Sequence, residues 1–259
     1  MSVRYRALVA YVGTEFRGFQ YQENAARTIQ AVLEEALATF SASRVRVHAA
    51  GRTDAGVHAD GQVIHFDLPS ERDPVRIRDG VNSLLKGDVR ILAAARAPES
   101  FLARRDAVWK EYLYRWSRAE VIPPRELPFV APIARSAEAG PMRRAAAALE
   151  GRHDFSAFGV RMGREESGVR RLHAVRIDER GDEIRALFRG DAFLRGMVRS
   201  ICGVLAHVGR GKAPEDRIAR LLRRPDPRLL APKAPAHGLT LVRVAYEKDP
   251  FGVTPDVSP

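Results

Sequence analysis

The feature that most restricts the fold of this 259-residue chain is an order of hydrophobic periodicities that occurs twice. Arg4 to Tyr11 reads as a strand, and Gly13 to Gly18 as a glycine-bounded loop carrying Arg17. Ile29, Val32, Leu33, Ala36, Leu37 and Phe40 then fall on one face at helical spacing, with Thr28 as the N-cap. Val45, Val47 and Ala49 alternate as a strand, and Val63, Ile64 and Phe66 make another. Asp73-Pro74 opens a helix through about Lys86, with proline at the first helical position, and Val89 to Ala95 is a strand. The order β-α-β-β-α-β is the split βαβ pattern of a ferredoxin-like unit.

A second pass begins at Val108, where Tyr112, Tyr114 and Trp116 alternate with Trp109, Leu113 and Arg115. After the proline-rich stretch from Pro123 to Pro128, Met142 to Glu150 reads as a helix ended by Gly151. Arg171 to Arg180 and Glu183 to Arg189 form a strand pair turning at Gly181-Asp182. Phe193, Met197, Ile201 and Leu205 lie four apart in a long helix that stops at Gly209. Pro214 opens a short helix with Ile218, Leu221 and Leu222, and Leu239 to Tyr246 is a final strand. The expected fold is therefore α+β: two ferredoxin-like (β-α-β-β-α-β) halves forming a mixed, largely antiparallel sheet, with helices on one side and a central cleft. The expected domains are 1–105, which carries the loop described next, 106–250, which completes the cleft, and a tail at 251–259.

Between the first pair of adjacent strands lies Ala50-Gly51-Arg52-Thr53-Asp54-Ala55-Gly56-Val57-His58. Gly51 and Gly56 bracket it, and glycine permits tight turning and close backbone approach, so Asp54 can be presented to a ligand from a rigid sheet. Arg52, two residues away, would keep that carboxylate ionised. An ordinary turn in which Thr53 and Asp54 satisfy backbone groups fits the spacing equally well. Asp54 with Asp60 would be the carboxylate pair of a hydrolytic glycosidase, a competing reading.

A formal charge of +11 and a pI near 10.4 point to a polyanionic partner, with nucleic acid as the leading class. The single Cys202 excludes an intramolecular disulfide, and neither cysteine nor histidine spacing suggests a metal site. With no apolar signal core and no run approaching a membrane helix of roughly 18 residues, the chain reads as soluble and cytoplasmic, with no membrane partner. In the second half Arg195 and Arg199 are four apart and share a helical face, and Arg199 lies among apolar neighbours where its charge would want a partner. Tyr112 and Tyr114 project to the same face as Lys110, one of the two tyrosines exposed, in a pattern suited to stacking a base. Arg104, Lys110, Arg161 and Arg164 are candidate contacts to RNA phosphates.

The nine residues from Ala50 to His58, followed by Gly61-Gln62-Val63, closely resemble the signature of the tRNA pseudouridine synthase A family. The similarity continues through Arg27-Thr28-Ile29-Gln30, Val81-Asn82-Ser83-Leu84, Tyr112-Leu113-Tyr114, Asp154 to Phe158, Phe193 to Arg199 and Gly238 to Val242. The resemblance implies a cofactor-free, metal-free isomerase that turns uridine into pseudouridine in the tRNA anticodon stem-loop, at positions 38, 39 and 40, and works as a homodimer. It implies that Asp54 is the catalytic aspartate, Arg52 the arginine that helps flip the base, Tyr112 the ring stacked on it and Arg199 the arginine paired with the aspartate. Phe19, Leu102 and Ser200 depart from the family pattern, where tryptophan, histidine and asparagine are common.

Overall fold

The computed structural model describes residues 2–23, 27–160, 167–249 and 251. The first half runs β1 (Val3–Tyr11), α1 (Ile29–Ser41), β2 (His48–Ala49), β3 (His58–Leu68), α2 (Pro74–Leu84) and β4 (Val89–Arg96). Next come β5 (Trp109–Ser117), β6 (Ala131–Pro132), α3 (Ala139–Ala146), β7 (Gly151–Asp154), β8 (Val169–Arg180) and β9 (Glu183–Gly190). The chain closes with α4 (Met197–Gly209), α5 (Arg217–Arg223) and β10 (Leu239–Ala245). The fold is α+β, and its strand pairing is mixed but mostly antiparallel. Two compact units emerge, one drawn from Met1–Val108 and Leu241–Pro259 (unit 1), the other from Trp109–Thr240 (unit 2). No helix among the described residues is long and apolar enough to cross a membrane.

In unit 1, β1 pairs antiparallel with β3 on one side and β4 on the other, and β2 is a two-residue extension on β3. Thr28 caps α1 by accepting from Ala31 N, and Asp73 caps α2 by accepting from Val75 and Arg76 N, so both helix starts follow the side-chain chemistry of the sequence. The helices pack through Phe40 and Gly80, where a Cβ would lie 2.5 Å from the Phe40 ring. β3 is buried along nearly its whole length and lies between β1 and β10. At Gly61 an added Cβ would lie 2.3 Å from Val242 O, so glycine lets the two backbones meet. Val108 N donates to Ala245 O at 2.8 Å, and the Tyr246 hydroxyl donates to Ala103 O at 2.7 Å, so Leu241–Ala245 returns the chain to its first unit.

In unit 2 the order is β5-β9-β8-β7, all antiparallel, with β6 parallel to β5. Gly181, at φ 59°, makes the β8–β9 turn. Two short strands, β6 and β7, have no counterpart in the periodicity, since two or four residues are too few to show alternation. Helix α3 begins three residues before Met142, because Pro141 sits in a first turn that needs no amide from it, and the last part of the expected helix is a 3-10 turn at Ala147–Leu149. Helix α4 begins at Met197 rather than Phe193. Gly196 stands before it at φ 74°, and Arg195 forms an isolated bridge with Val160, so Arg195 and Arg199 do not share a helical face.

Replacing Gly61 with alanine should cost about 1–3 kcal/mol in urea denaturation by overpacking against β10. Gly87→Ala, where a Cβ meets nothing within 4 Å, should stay near wild type.

His65 supplies a pH-dependent counterpart on the same strand. It is 6% exposed, accepts from Ala103 N through Nδ1 at 3.1 Å and stacks on His48 at 4.9 Å. Burial, then the neighbouring His48 and Arg4, lower its pKa to about 4. The unfolded chain therefore takes up this proton first as pH falls, and stability present above the ordinary value of 6.5 is lost between there and about pH 4. His65→Asn should flatten the stability profile in that window when denaturation midpoints are compared across pH.

Candidate active-site loop

The loop from Ala50 to Val57 joins β2 to β3 and is tied down along its length. Ala50 N donates to Val63 O at 2.8 Å at its start. Thr53 is 7% exposed; its carbonyl accepts from Phe19 N at 3.1 Å, and its Oγ1 is 2.9 Å from the Tyr11 hydroxyl. Gly56 N donates to Phe16 O at 3.3 Å, and Val57 N closes a turn on Asp54 O at 3.2 Å. The Asp54 side chain is half-buried at this turn, and Arg52 is exposed two residues before it.

Glycine makes the seat possible at two positions. An added Cβ on Gly13 would lie 2.0 Å from Val57 O, and Gly18, at φ 93°, would bring one within 2.9 Å of Thr53 O. The backbone from Gly13 to Phe19 thus presses directly against the loop. His58 closes the far end, its Nδ1 accepting from Gly13 N at 3.0 Å, which fixes the neutral imidazole's proton on Nε2.

Beneath the loop, Gln62 on β3 donates through Nε2 to Gly51 O at 2.8 Å and to the Tyr11 hydroxyl at 3.4 Å. The Tyr11 and Thr53 hydroxyls share a further hydrogen bond, which either can donate. Burial pushes the Tyr11 phenol up to about 12, so it remains a neutral donor across the physiological range. Tyr11, Thr53 and Gln62 form one buried network under Asp54. Sequence reasoning did not single out Tyr11 for this role; the available signal was a glutamine inside the apolar run of β3.

The remaining candidates lie in several settings. Tyr112, on β5, is buried at 7% exposure, with its ring edge-on to Phe193 at 4.9 Å. Tyr114 is wholly buried, its hydroxyl donating to Pro235 O at 2.9 Å, and burial raises its pKa. The expectation that one of these tyrosines is exposed therefore fails: β5 is packed on that face, and Lys110 beside them is also buried, at 8% exposure. Arg199 is half-buried in the first turn of α4, its Nε donating to Ala234 O at 2.9 Å while Ala234 N donates back to Arg199 O at 3.0 Å. Arg104 is exposed in a turn of unit 1. Arg161 and Arg164 lie outside the described residues.

A half-buried carboxylate on a rigidly held turn, with a cation two residues away, is equipped to meet an electrophilic carbon or a proton without reorganising its own backbone. The family model described as tRNA pseudouridine synthase matches residues 7–104 and 145–247. A tRNA pseudouridine synthase A of Lactiplantibacillus plantarum is 38% identical over 96% of this chain and 97% of that protein. The proteins of the same name from Methylobacterium nodulans and Solidesulfovibrio magneticus are 40% and 41% identical, each over 94% of this chain and over 96% and 91% of their own lengths. With both units matched and the relatives covered almost end to end, the chain belongs to the tRNA pseudouridine synthase family.

Proposed function

We propose that this chain isomerises uridine to pseudouridine in the anticodon stem-loop of tRNA, at positions 38, 39 and 40, with the Asp54 carboxylate acting at ribose C1′. The observation that carries the reading is the seating of Asp54 on a loop gripped by Gly13, Phe16 and Phe19 from one side and by Tyr11 and Gln62 from below. The reaction breaks the C1′–N1 bond, turns the uracil while it stays bound, and joins C1′ to C5. N1 gains a proton and C5 loses one, so no oxidant, reductant or water is consumed.

Asp54 serves this chemistry in one of two ways: as a nucleophile on C1′, or by assisting loss of a ribose proton in a glycal route. Both require the base out of its stack, which costs a few kcal/mol. Arg52, exposed beside Asp54, is suited to enter the vacated stack. Tyr112 and Arg199 take, within this proposal, the base-stacking and charge-balancing roles, the first of which requires the packing around the Tyr112 ring, Phe193 included, to open for the base. A homodimer working in the cytoplasm completes the reading, and the net charge of +11 supports a polyanionic substrate.

Asp54→Asn keeps the size and much of the hydrogen bonding of the loop while removing the charge. Single-turnover release of tritium from C5-labelled uridine in tRNA should fall by at least about 10³-fold in this variant, with tRNA affinity nearly unchanged. Turnover at the wild-type rate would remove Asp54 from the chemistry.

A further inference from the structure

In unit 2, Arg220, Arg223, Arg224 and Arg228 line one cleft of about 600 Å³ in which Asp226 is the single acid, and none of the residues proposed for the reaction lines it. Arg220 and Arg223 lie in the last turn of α5, where cations commonly balance the negative end of a helix. That explanation does not reach Arg224, which is already extended, or Arg228, in the following 3-10 turn Pro227–Leu229.

The cluster is braced rather than loose. Ile218 and Leu221 anchor α5 with no exposure, and Arg217 Nη1 donates to Leu229 O at 3.1 Å. Leu229 N donates to Asp226 O at 3.0 Å, closing the turn. Arg220 pairs with Asp216 at 2.6 Å and Arg228 with Asp226 at 3.0 Å. Hydrogen bonds from the Arg228 side chain and backbone hold the Asp226 carboxyl below its usual range, so it is ionised and cancels one of the four lining charges. Arg223 reaches only Ala219 O of its own helix, and neither Arg223 nor Arg224 forms a salt bridge among the described residues. Both are exposed.

Guanidinium forks fixed on a short frame match the paired oxygens of a phosphodiester. No aromatic ring or side-chain amide lines the cleft, so guanidinium groups are the recognition chemistry it offers a polyanion. We propose that this cleft is a second RNA-binding site, taking backbone phosphates of the tRNA substrate. The inference rests on tRNA being the substrate of this chain.

The test is the affinity of unmodified tRNA for the full-length protein across a salt series. R223Q/R224Q, with its thermal midpoint checked against wild type, should bind about ten-fold more weakly at low salt and reduce the slope of log affinity against log salt by about 1–2. Its rate at saturating tRNA should be unchanged, and R223K/R224K should recover most of the affinity. Wild-type affinity and slope in a folded R223Q/R224Q would overturn the cleft assignment alone. Saturable binding of inorganic phosphate at micromolar concentration, lost in R223Q/R224Q without change in tRNA affinity, would make the cleft a free-anion site instead. Failure of wild type to bind tRNA would overturn the substrate reading, and this inference with it.

Discussion

The seat of Asp54 in unit 1 depends on how closely the Gly13–Phe19 backbone approaches the loop that carries it. With Val57 O only 2.0 Å from where a Cβ would stand on Gly13, and Thr53 O 2.9 Å from one on Gly18, no side chain fits between the two segments. Phe19 N and Gly13 N then spend their hydrogen bonds on Thr53 and His58. This packing orders the loop before any ligand arrives, which reduces the entropy lost on reaching a reactive geometry. The sheet supplies the rest: β1 and β3 bring Tyr11 and Gln62 together from positions far apart in sequence, and their polar ends meet beneath the turn.

The arginine excess divides into distinct physical roles. Arg27 forms a bidentate pair with Asp88 and lies over the Phe16 ring at 4.2 Å, which holds the segment next to the loop carrying Asp54. Arg115 and Arg185 share Glu183 across β5 and β9, and Arg4 pairs with Asp67 across β1 and β3. These cations are committed to the fold. Those around the end of α5 are arranged differently: more guanidinium groups converge there than local acids can balance. Net charge alone therefore points to a polyanion without saying which arginines meet it.

Much of the architecture was legible because its signals are local. The Thr28 and Asp73 caps, the glycine turn at Gly181 and the apolar stripes of α1 and α4 each report their element within a few residues. Phe193 and Leu194 continue the apolar spacing of α4, but the conformation of Gly196 sets the start of the helix at Met197. The return of Leu241–Ala245 to unit 1 has no local signature at all; it depends on Gly61 and on the Val108, Ala103 and Tyr246 bonds, which are pairings between distant residues. At the candidate site, the flanking alternation told of a loop between two strands, and the structure has that loop between β2 and β3; the roles of Asp54 and Arg52 come from the family resemblance and belong to the proposal. The buried state of Tyr112 and Lys110 was not legible, because strand alternation defines two faces without saying how far each is covered.

Site-resolved mapping of pseudouridine in an unmodified tRNA transcript, after incubation with the wild-type protein, tests the central claim most directly. Pseudouridine confined to positions 38, 39 and 40, with the chain intact and no free uracil released, is the predicted result. Pseudouridine elsewhere with none at these positions, or release of uracil to leave an abasic site, would contradict the assignment.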